Sequence, residues 1–206
     1  MRVAGGDARG RRLKGAVSPG TRATTERVRG AIFNILNPDQ YEGCRVLDLY
    51  SGTGSLGIEA LSRSADWADF VERDRRQCEV IEANLDATGY RTNAAVHRAD
   101  VLKALPSLTG GYHLVLLDPP YKMEGLNEVL DAIASQMGLI VESGVVIAGH
   151  SKRLELGATY GNLNQTSHRQ YGDNVVDFYS YHDPGQAHGD AGAGDLKSGS
   201  QGDSAW

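Results

Sequence analysis

Short apolar runs alternate with amphipathic segments along the central part of the chain. The apolar runs have the length of buried strands, and the segments between them repeat apolar residues at the three-and-four spacing of a helix. The predicted strands are Arg45–Tyr50, Trp67–Glu72, Ala94–Arg98, His113–Leu117 and Gly144–Ala148, and the predicted helices are Ser55–Ser64, Asp74–Ala87, Val101–Leu105 and Leu126–Ile133. Because parallel strands need crossover connections, this alternation predicts an α/β, Rossmann-like fold with a mostly parallel sheet covered on both faces.

Different patterns flank this alternating region. Upstream, a helix is predicted to begin after its cap at Thr24-Thr25 and to end before Asn37-Pro38. Downstream, two strands without helical periodicity, Ser167–Tyr171 and Val175–Tyr181, predict an antiparallel hairpin at one edge of the sheet. The expected organisation is a basic arm over residues 1–23, one domain over 24–182 and a disordered, acidic, glycine-rich tail over 183–206.

Composition excludes several classes of protein. The 206 residues include only two cysteines and no CxxC pair, so neither a disulfide framework nor a zinc ribbon is expected. The longest aliphatic run, Leu114–Leu117, is far too short to cross a bilayer, and the first 30 residues contain no apolar run typical of a secretory signal. We therefore expect a soluble, cytoplasmic protein that does not bind membranes. We also expect a monomer, although composition does not determine the oligomeric state.

Charge is distributed unevenly along the chain. The net charge is −5, yet residues 1–30 contain eight basic side chains and only two acidic ones. An acidic protein repels nucleic acid unless its positive charge is concentrated in one place, and a basic segment that neutralises phosphates releases their counterions. The arm is therefore a candidate nucleic-acid contact, although a solubilising arm has the same composition.

A glycine-rich turn follows the first predicted strand. Gly52, Gly54 and Gly57 satisfy the pattern G-x-G-x-x-G between a strand and a helix, and Glu72 ends the next strand. In this context the glycines permit close approach of a nucleotide, and the acid can bind both ribose hydroxyls. Asp48, just before the turn, would repel the pyrophosphate of a dinucleotide but would suit an ammonium group. S-adenosylmethionine carries such a group, so this cofactor is favoured over NAD.

A second motif, Asp118-Pro119-Pro120-Tyr121, follows the fourth predicted strand. Ligands of open α/β sheets bind outside the carboxyl ends of the strands, so both motifs are expected to face one cleft. Proline lacks an amide hydrogen and has a fixed φ, which makes this loop stiff and leaves carbonyl acceptors available. An acidic side chain and a carbonyl can orient an exocyclic amine for methylation, and Tyr121 can stack on a base. A proline turn that merely ends a strand is the structural alternative.

The remaining candidate residues add detail to this prediction. Asp100 follows the third strand, where it can accept a hydrogen bond from the adenine amino group beside Val101; capping of the next helix would explain it almost as well. The histidines show no metal-ligand spacing, so no metal is expected, and no signature of covalent catalysis is present. The cofactor-binding candidates are Asp48, Tyr50, Gly52, Thr53, Gly54, Glu72, Arg73, Asp100 and Val101.

Together these motifs resemble the class I S-adenosylmethionine-dependent amino-methyltransferases. The N-terminal segments Arg2–Gly6 and Arg9–Arg11, with the run Thr24–Arg29 followed by Ile32-Phe33-Asn34, resemble the RsmD family in particular. The resemblance implies a sheet of seven strands and methylation of a guanine N2 amine in 16S rRNA, at guanine 966, free or in the assembling small subunit. It also implies an RNA-binding role for Arg9, Arg11, Arg12, Arg27 and Arg29.

The sequence departs from this family at Gly30, where a glutamate is usual, and the glycine should cost its helix about 1 kcal/mol relative to alanine. Three rival functions remain compatible with the motifs. A DNA adenine-N6 methyltransferase can use the same Asp-Pro-Pro-Tyr loop, and an NAD-dependent oxidoreductase can use the glycine turn. A non-catalytic ribosome-assembly factor could retain the fold alone.

Overall fold

The computed structural model describes residues 1–15, 26–121 and 123–183, and helices alternate with strands through most of this part of the chain. The predicted Thr24-Thr25 cap and nearly all of the predicted tail lie outside the described residues. The helices are α1 (Glu26–Ile35), α2 (Ser55–Ser62), α3 (Arg75–Thr88), α4 (Val101–Ala104) and α5 (Leu126–Ser135). The strands are β1 (Arg45–Leu49), β2 (Trp67–Glu72), β3 (Ala94–Arg98), β4 (Tyr112–Leu117), β5 (Ile140–Ser151), β6 (Thr159–Tyr160), β7 (Leu163–Tyr171) and β8 (Asn174–Tyr181).

These strands form one sheet in the order β3-β2-β1-β4-β5-β8-β7-β6. The pairs from β3 through β5 are parallel, whereas β8 pairs antiparallel with both β5 and β7. The chain moves outward in one direction from β1 to β3 and then returns to β4 on the other side of β1. The sheet therefore has its topological switch point between β1 and β4, where open α/β sheets bind their ligands.

The predicted α/β architecture and C-terminal hairpin are confirmed, with one correction to the strand count. Over the described residues the sheet has eight strands rather than the expected seven, because the short strand β6 pairs with β7 at Thr159 and Tyr160. A strand of two residues is too short to show a period-two alternation, which is why the pattern did not predict it. In addition, β5 continues well beyond the predicted Gly144–Ala148 on both sides.

Helices cover both faces of the sheet. On one face, α1, α2 and α3 pack against side chains such as Phe70 of β2 and Ile147 of β5. On the opposite face, α4 and α5 pack against the alternate side chains, including Val146. Alternation along β5 therefore places successive residues in two separate hydrophobic layers, as expected for a strand buried on both sides.

The N-terminal loop, residues 1–15, is docked on the domain. A β-bridge joins Arg2 to Arg12, and the side chains of Val3, Ala8 and Leu13 are buried in the core. Ser62 of α2 also holds the loop. Its carbonyl accepts a hydrogen bond from the amide of Asp7 (2.8 Å), and its hydroxyl accepts one from the amide of Ala8 (2.9 Å). The basic residues of the loop are thus presented on a fixed backbone.

Glu59 of α2 is the polar centre of this attachment. Its carboxylate is fully buried and accepts hydrogen bonds from the amides of Ala4 (2.8 Å) and Gly5 (2.7 Å). The same carboxylate pairs with Arg29 (3.1 Å) and Arg63 (3.0 Å). One buried acid therefore joins the N-terminal loop, α1 and α2, and each of its two carboxylate oxygens accepts hydrogen bonds from two donors.

The expectation that Arg29 contacts RNA is wrong. Its side chain is 0% exposed, and besides Glu59 its guanidinium donates to the carbonyl of Arg2. A buried guanidinium needs a paired anion and acceptors, and these partners supply both. Gly30, its neighbour in sequence, lies within α1, so the helix forms despite this glycine. A Cβ added at Gly30 would meet no atom within 4 Å.

We expect Glu59→Ala to destabilise the protein by about 3–5 kcal/mol, because it leaves the Arg29 charge buried without its anion. Urea denaturation measures this loss, and hydrogen exchange at Ala4 and Gly5 should accelerate. The matched control is Glu79→Ala in α3, which breaks an exposed i,i+4 pair with Arg75 and should cost only about 0–1 kcal/mol. Equal losses in the two variants would contradict this role for Glu59.

Candidate active site

The two sequence motifs lie side by side at the carboxyl ends of β1 and β4. The register pairs Leu49 with Leu117, so Tyr50 and Asp118 each lie one residue beyond the last paired position. Two cavities open around this edge: a larger cavity of about 390 Å³ over the glycine turn, and a narrow cleft of about 40 Å³ between the sheet and α1. Asp118, both prolines of the loop, Tyr121 and Met123 line both of them.

Most of the predicted cofactor-binding residues line the larger cavity. They are Tyr50, Gly52, Glu72, Arg73, Asp100 and Val101. Asp74 and Gln77, at the start of α3, also line this cavity and were not predicted. The structure therefore brings together residues from the ends of β1, β2 and β3 with the Asp-Pro-Pro-Tyr loop of β4.

The glycine turn fits tightly between β1 and α2. Gly54 has a φ of +74°, in the left-handed region that favours glycine. At Gly57 an added Cβ would lie 2.4 Å from the Phe70 ring, so only glycine lets α2 approach β2 this closely. The amide of Gly57 donates to the Asp48 carboxylate at 2.9 Å. The motif therefore has a packing role in addition to any contact with a ligand.

Asp48 differs from its predicted placement. Its side chain is 1% exposed and lies behind the glycine turn rather than among the residues that line the cavity. Burial raises the pKa of Asp48 well above its usual range, and the nearby charges of Asp118 and Glu72 add to this rise, while the Gly57 amide opposes it. Thr53, which is also buried, and Gly54 lie behind the wall as well. These three predicted cofactor-binding residues therefore do not line the larger cavity.

Tyr50 is held in a strained conformation. Its φ is +57°, which is uncommon for a residue with a large side chain and costs about 1–3 kcal/mol. Burial raises the pKa of its hydroxyl to about 12, with Asp100 contributing in the same direction. Such strain at the wall of a cavity is typical of functional sites, where the surrounding structure imposes it.

Glu72 and Asp100 are two of the acidic residues that line the larger cavity. Glu72 accepts hydrogen bonds from the amides of Gly52 (3.0 Å) and Asp74 (2.9 Å), which fix its orientation at the end of β2. Asp100 occupies the N-cap position of α4, but its side chain makes no capping hydrogen bond. The helix-capping explanation for Asp100 is therefore not realised, and its exposed carboxylate lines the cavity beside Val101.

Asp118 is the titratable group at the junction of the two cavities. Burial raises the pKa of its carboxyl group to about 7. Gly149 of β5 makes room for it, since a Cβ at that position would lie 3.0 Å from Asp118 Oδ1. A carboxyl group that ionises near neutral pH is suited to accept a proton. Tyr121, at the end of the same loop, is 40% exposed and presents its ring at the surface.

Sequence reasoning missed most of the narrow cleft. Val28 and Ile32 of α1 line one side, and Asn174, Val175 and Val176 of β8 line another. These segments are far from the Asp-Pro-Pro-Tyr loop in sequence, and no local motif connects them to it. Only the antiparallel pairing of β8 with β5 brings Asn174 to this place.

Two histidines converge on one buried acid near this cleft. Asp177 of β8 lies 2.8 Å from His150 Nε2 and 2.6 Å from His168 Nδ1, on the neighbouring strands β5 and β7. No spacing along the chain suggested this arrangement. Among residues 1–15, 26–121 and 123–183, no three side chains of the metal-binding types form a group that could hold an ion.

Four of the arginines predicted to bind RNA are exposed. Arg9, Arg11 and Arg12 extend from the N-terminal loop and Arg27 from α1, whereas Arg29 is buried as described above. The Arg11 guanidinium donates to the carbonyl of Ala87 near the end of α3. Within the described part of the chain, no helix is long and apolar enough to cross a membrane.

Comparison with known proteins agrees with this architecture. A family model described as "Conserved hypothetical protein 95" matches residues 1–180. YlbH of Bacillus subtilis is 37% identical over 182 residues, covering 87% of this chain and 98% of that protein. The "Ribosomal RNA small subunit methyltransferase D" of Escherichia coli K12 is 32% identical over 191 residues, covering 93% and 94%. The solved structure of yhhF from Escherichia coli superposes with a TM-score of 0.77 at 30% identity, covering 88% and 98%.

We expect Asp118→Asn to stabilise the protein by about 1–3 kcal/mol at pH 8 and by little at pH 4. Because its folded pKa of about 7 exceeds the ordinary 3.8, the wild type loses stability from this group as pH rises through that interval. The asparagine variant avoids this loss. Denaturant unfolding at both pH values measures the difference. Asp131→Asn, at an exposed position on α5, should change stability by only about 0.5 kcal/mol, and a pH-independent effect at Asp118 would contradict the assignment.

Proposed function

We propose, from the premise that this chain belongs to the RsmD family, described as Conserved hypothetical protein 95, that it is an S-adenosylmethionine-dependent methyltransferase of ribosomal RNA. Its target in this proposal is the exocyclic N2 amine of a guanine in 16S rRNA, guanine 966 by family resemblance. The observation that carries the proposal is the junction at Asp118, where a nucleotide-sized cavity and a second cleft share one loop. The Escherichia coli relative named above supports ribosomal RNA as the substrate.

The residues around the larger cavity fit S-adenosylmethionine. The acidic groups Glu72 and Asp100 suit the ribose hydroxyls and the adenine amino group, and Val101 offers an apolar surface to the ring. S-adenosylmethionine supplies an electrophilic methyl group on a positively charged sulfur. The negative charges of Asp118 and Glu72 add to the rise in the pKa of Asp48, so acidic groups are concentrated at this site and favour a cation. The same charges disfavour the pyrophosphate of NAD, which argues against the oxidoreductase alternative.

The Asp118 loop is suited to hold the acceptor amine. The lone pair of an exocyclic amine is delocalised into the base, which makes the nitrogen a poor nucleophile. The Asp118 carboxylate and the Pro119 carbonyl can accept its two hydrogens and so orient the lone pair. Formation of the nitrogen–methyl bond would be accompanied by cleavage of the sulfur–methyl bond, whose electron pair would leave with the sulfur of S-adenosylhomocysteine. The methylated nitrogen then carries a positive charge and loses a proton, which Asp118 can accept. Tyr121 can stack on the base, and the narrow cleft must widen to admit it.

If Asp118 accepts this proton, Asp118→Asn should lower the single-turnover methylation rate about 10²–10⁴-fold. The wild-type rate should rise with pH and level off above its pKa of about 7, because only the ionised carboxylate can take a proton, and the variant should lose this dependence. The substrate is 16S rRNA, or small-subunit particles, from a strain that lacks the gene, with mass mapping of the modified guanine.

The control for this experiment is cofactor binding. Both proteins should be stabilised thermally by S-adenosylmethionine, and neither by NAD, since ligand that binds the folded state raises its stability. Unchanged guanine methylation in the strain without the gene would count against the whole proposal. A fully active asparagine variant would remove Asp118 from the proton transfer but leave the enzyme assignment standing.

We expect the double variant Arg9→Gln/Arg12→Gln to bind RNA more weakly and to reduce the slope of log K against log [salt] by about 1–2. Each exposed arginine that neutralises a phosphate releases counterions, and both side chains extend from the docked N-terminal loop. Filter binding between low and moderate salt measures the slope. Arg91→Gln, which removes an arginine paired with Glu82, is the matched control. Identical slopes in all three proteins would exclude the loop as a phosphate contact.

A further inference from the structure

A buried polar atom without a hydrogen-bond partner belongs to a residue that lines the narrow cleft. Asn174, the first residue of β8, lines the cleft, and its Oδ1 is buried without a hydrogen-bond partner among the described residues. A buried acceptor without a donor destabilises a protein, so an Oδ1 in this condition beside a cleft requires an explanation. Donation from a bound ligand would supply one.

The neighbouring polar side chain of the cleft is already engaged. His150 Nδ1 lies 2.9 Å from the Ser151 carbonyl, and its Nε2 lies 2.8 Å from Asp177. The remaining surface is largely apolar and includes Ile147 and Val176, which suit the faces of a flat ring. The acceptors that line this cleft include the Asp118 carboxyl group and the side-chain oxygen of Asn174.

We propose that Asn174 Oδ1 reads the target base by accepting a hydrogen bond from guanine N1–H while Asp118 and its loop hold the N2 amine. This inference rests on the proposed function and deepens it, because it names the group that selects guanine. Guanine presents two donors, N1–H and the N2 amine, next to each other on one edge. Two acceptors lining one cleft match that pattern.

Adenine presents the opposite pattern beside its amine. Its N1 is an acceptor, which would face the Asn174 oxygen without a hydrogen between them. A site built to hydrogen-bond one group of a substrate discriminates strongly against an analogue that lacks it, because its own buried group is then left unpaired. The same geometry that accepts guanine therefore rejects adenine, even though the Asp118 loop alone could hold either amine.

The test uses RNA in which the target guanine is replaced by 2-aminopurine. This base keeps the N2 amine but has an acceptor at N1. Because it also lacks O6, the change in preference caused by the Asn174 variants, rather than the preference itself, reports the reading of N1–H. The wild type should have a higher kcat/KM for the guanine RNA than for the 2-aminopurine RNA. Asn174→Leu should reduce this ratio roughly tenfold or more, because it weakens methylation of guanine. Asn174→Asp, which retains an acceptor, should preserve the preference.

Two controls make the outcomes distinct. Asn164→Leu, at an exposed position on β7, should leave the preference unchanged, and S-adenosylmethionine should bind all variants equally. If Asn174→Leu does not fold, Asn174→Ala provides the same comparison. If the wild type methylates guanine and Asn174→Leu or Asn174→Ala leaves its preference for guanine unaltered, only the reading role of Asn174 is overturned. A wild type that methylates neither RNA overturns the proposed function itself.

Discussion

Parallel pairing of β1 with β4 is the constraint on which the site depends. The register that aligns Leu49 with Leu117 brings the chain out of the sheet at Tyr50 and Asp118 side by side. Each strand alone ends in an ordinary turn, one rich in glycine and the other in proline. Their juxtaposition at the switch point creates a cavity and a cleft with a common wall. The chemistry proposed here therefore follows from strand order as much as from the motifs.

Several residues of this site lower the stability of the folded protein. Asp48 and Asp118 are carboxylates in surroundings that raise the pKa of each, and Tyr50 has a strained backbone. Folding alone would favour neutral side chains at the first two positions and glycine at the third. A positively charged ligand in the larger cavity would offset the repulsion among the acids, so cofactor binding and stability should be linked at this edge of the sheet.

The sequence was informative wherever the signal was local. The glycine turn, the Asp118 loop and the strands that carry them could be located because each motif directly follows an apolar run. Arg29 was misjudged because its charge suggested exposure, yet Arg29, Phe33 and Leu36 share a helical face at spacings of four and three. That spacing indicated burial, but its partner Glu59 is thirty residues away. Asn174 could not have been found, because only the pairing of β8 with β5 places it in the cleft.

The docked N-terminal loop connects the RNA-contacting and cofactor-binding parts of the proposal. Asn84 of α3, fully buried, accepts from the Lys14 amide at 2.7 Å and donates to the Thr53 carbonyl of the glycine turn at 2.9 Å. The loop that presents Arg9 and Arg12 is thus braced by the same side chain that supports the turn. A segment already ordered before RNA arrives does not lose that conformational entropy on binding, whereas a disordered arm would. In this proposal the fold gives both ligands a common support, and Arg9 and Arg12 present a fixed surface rather than a flexible tether.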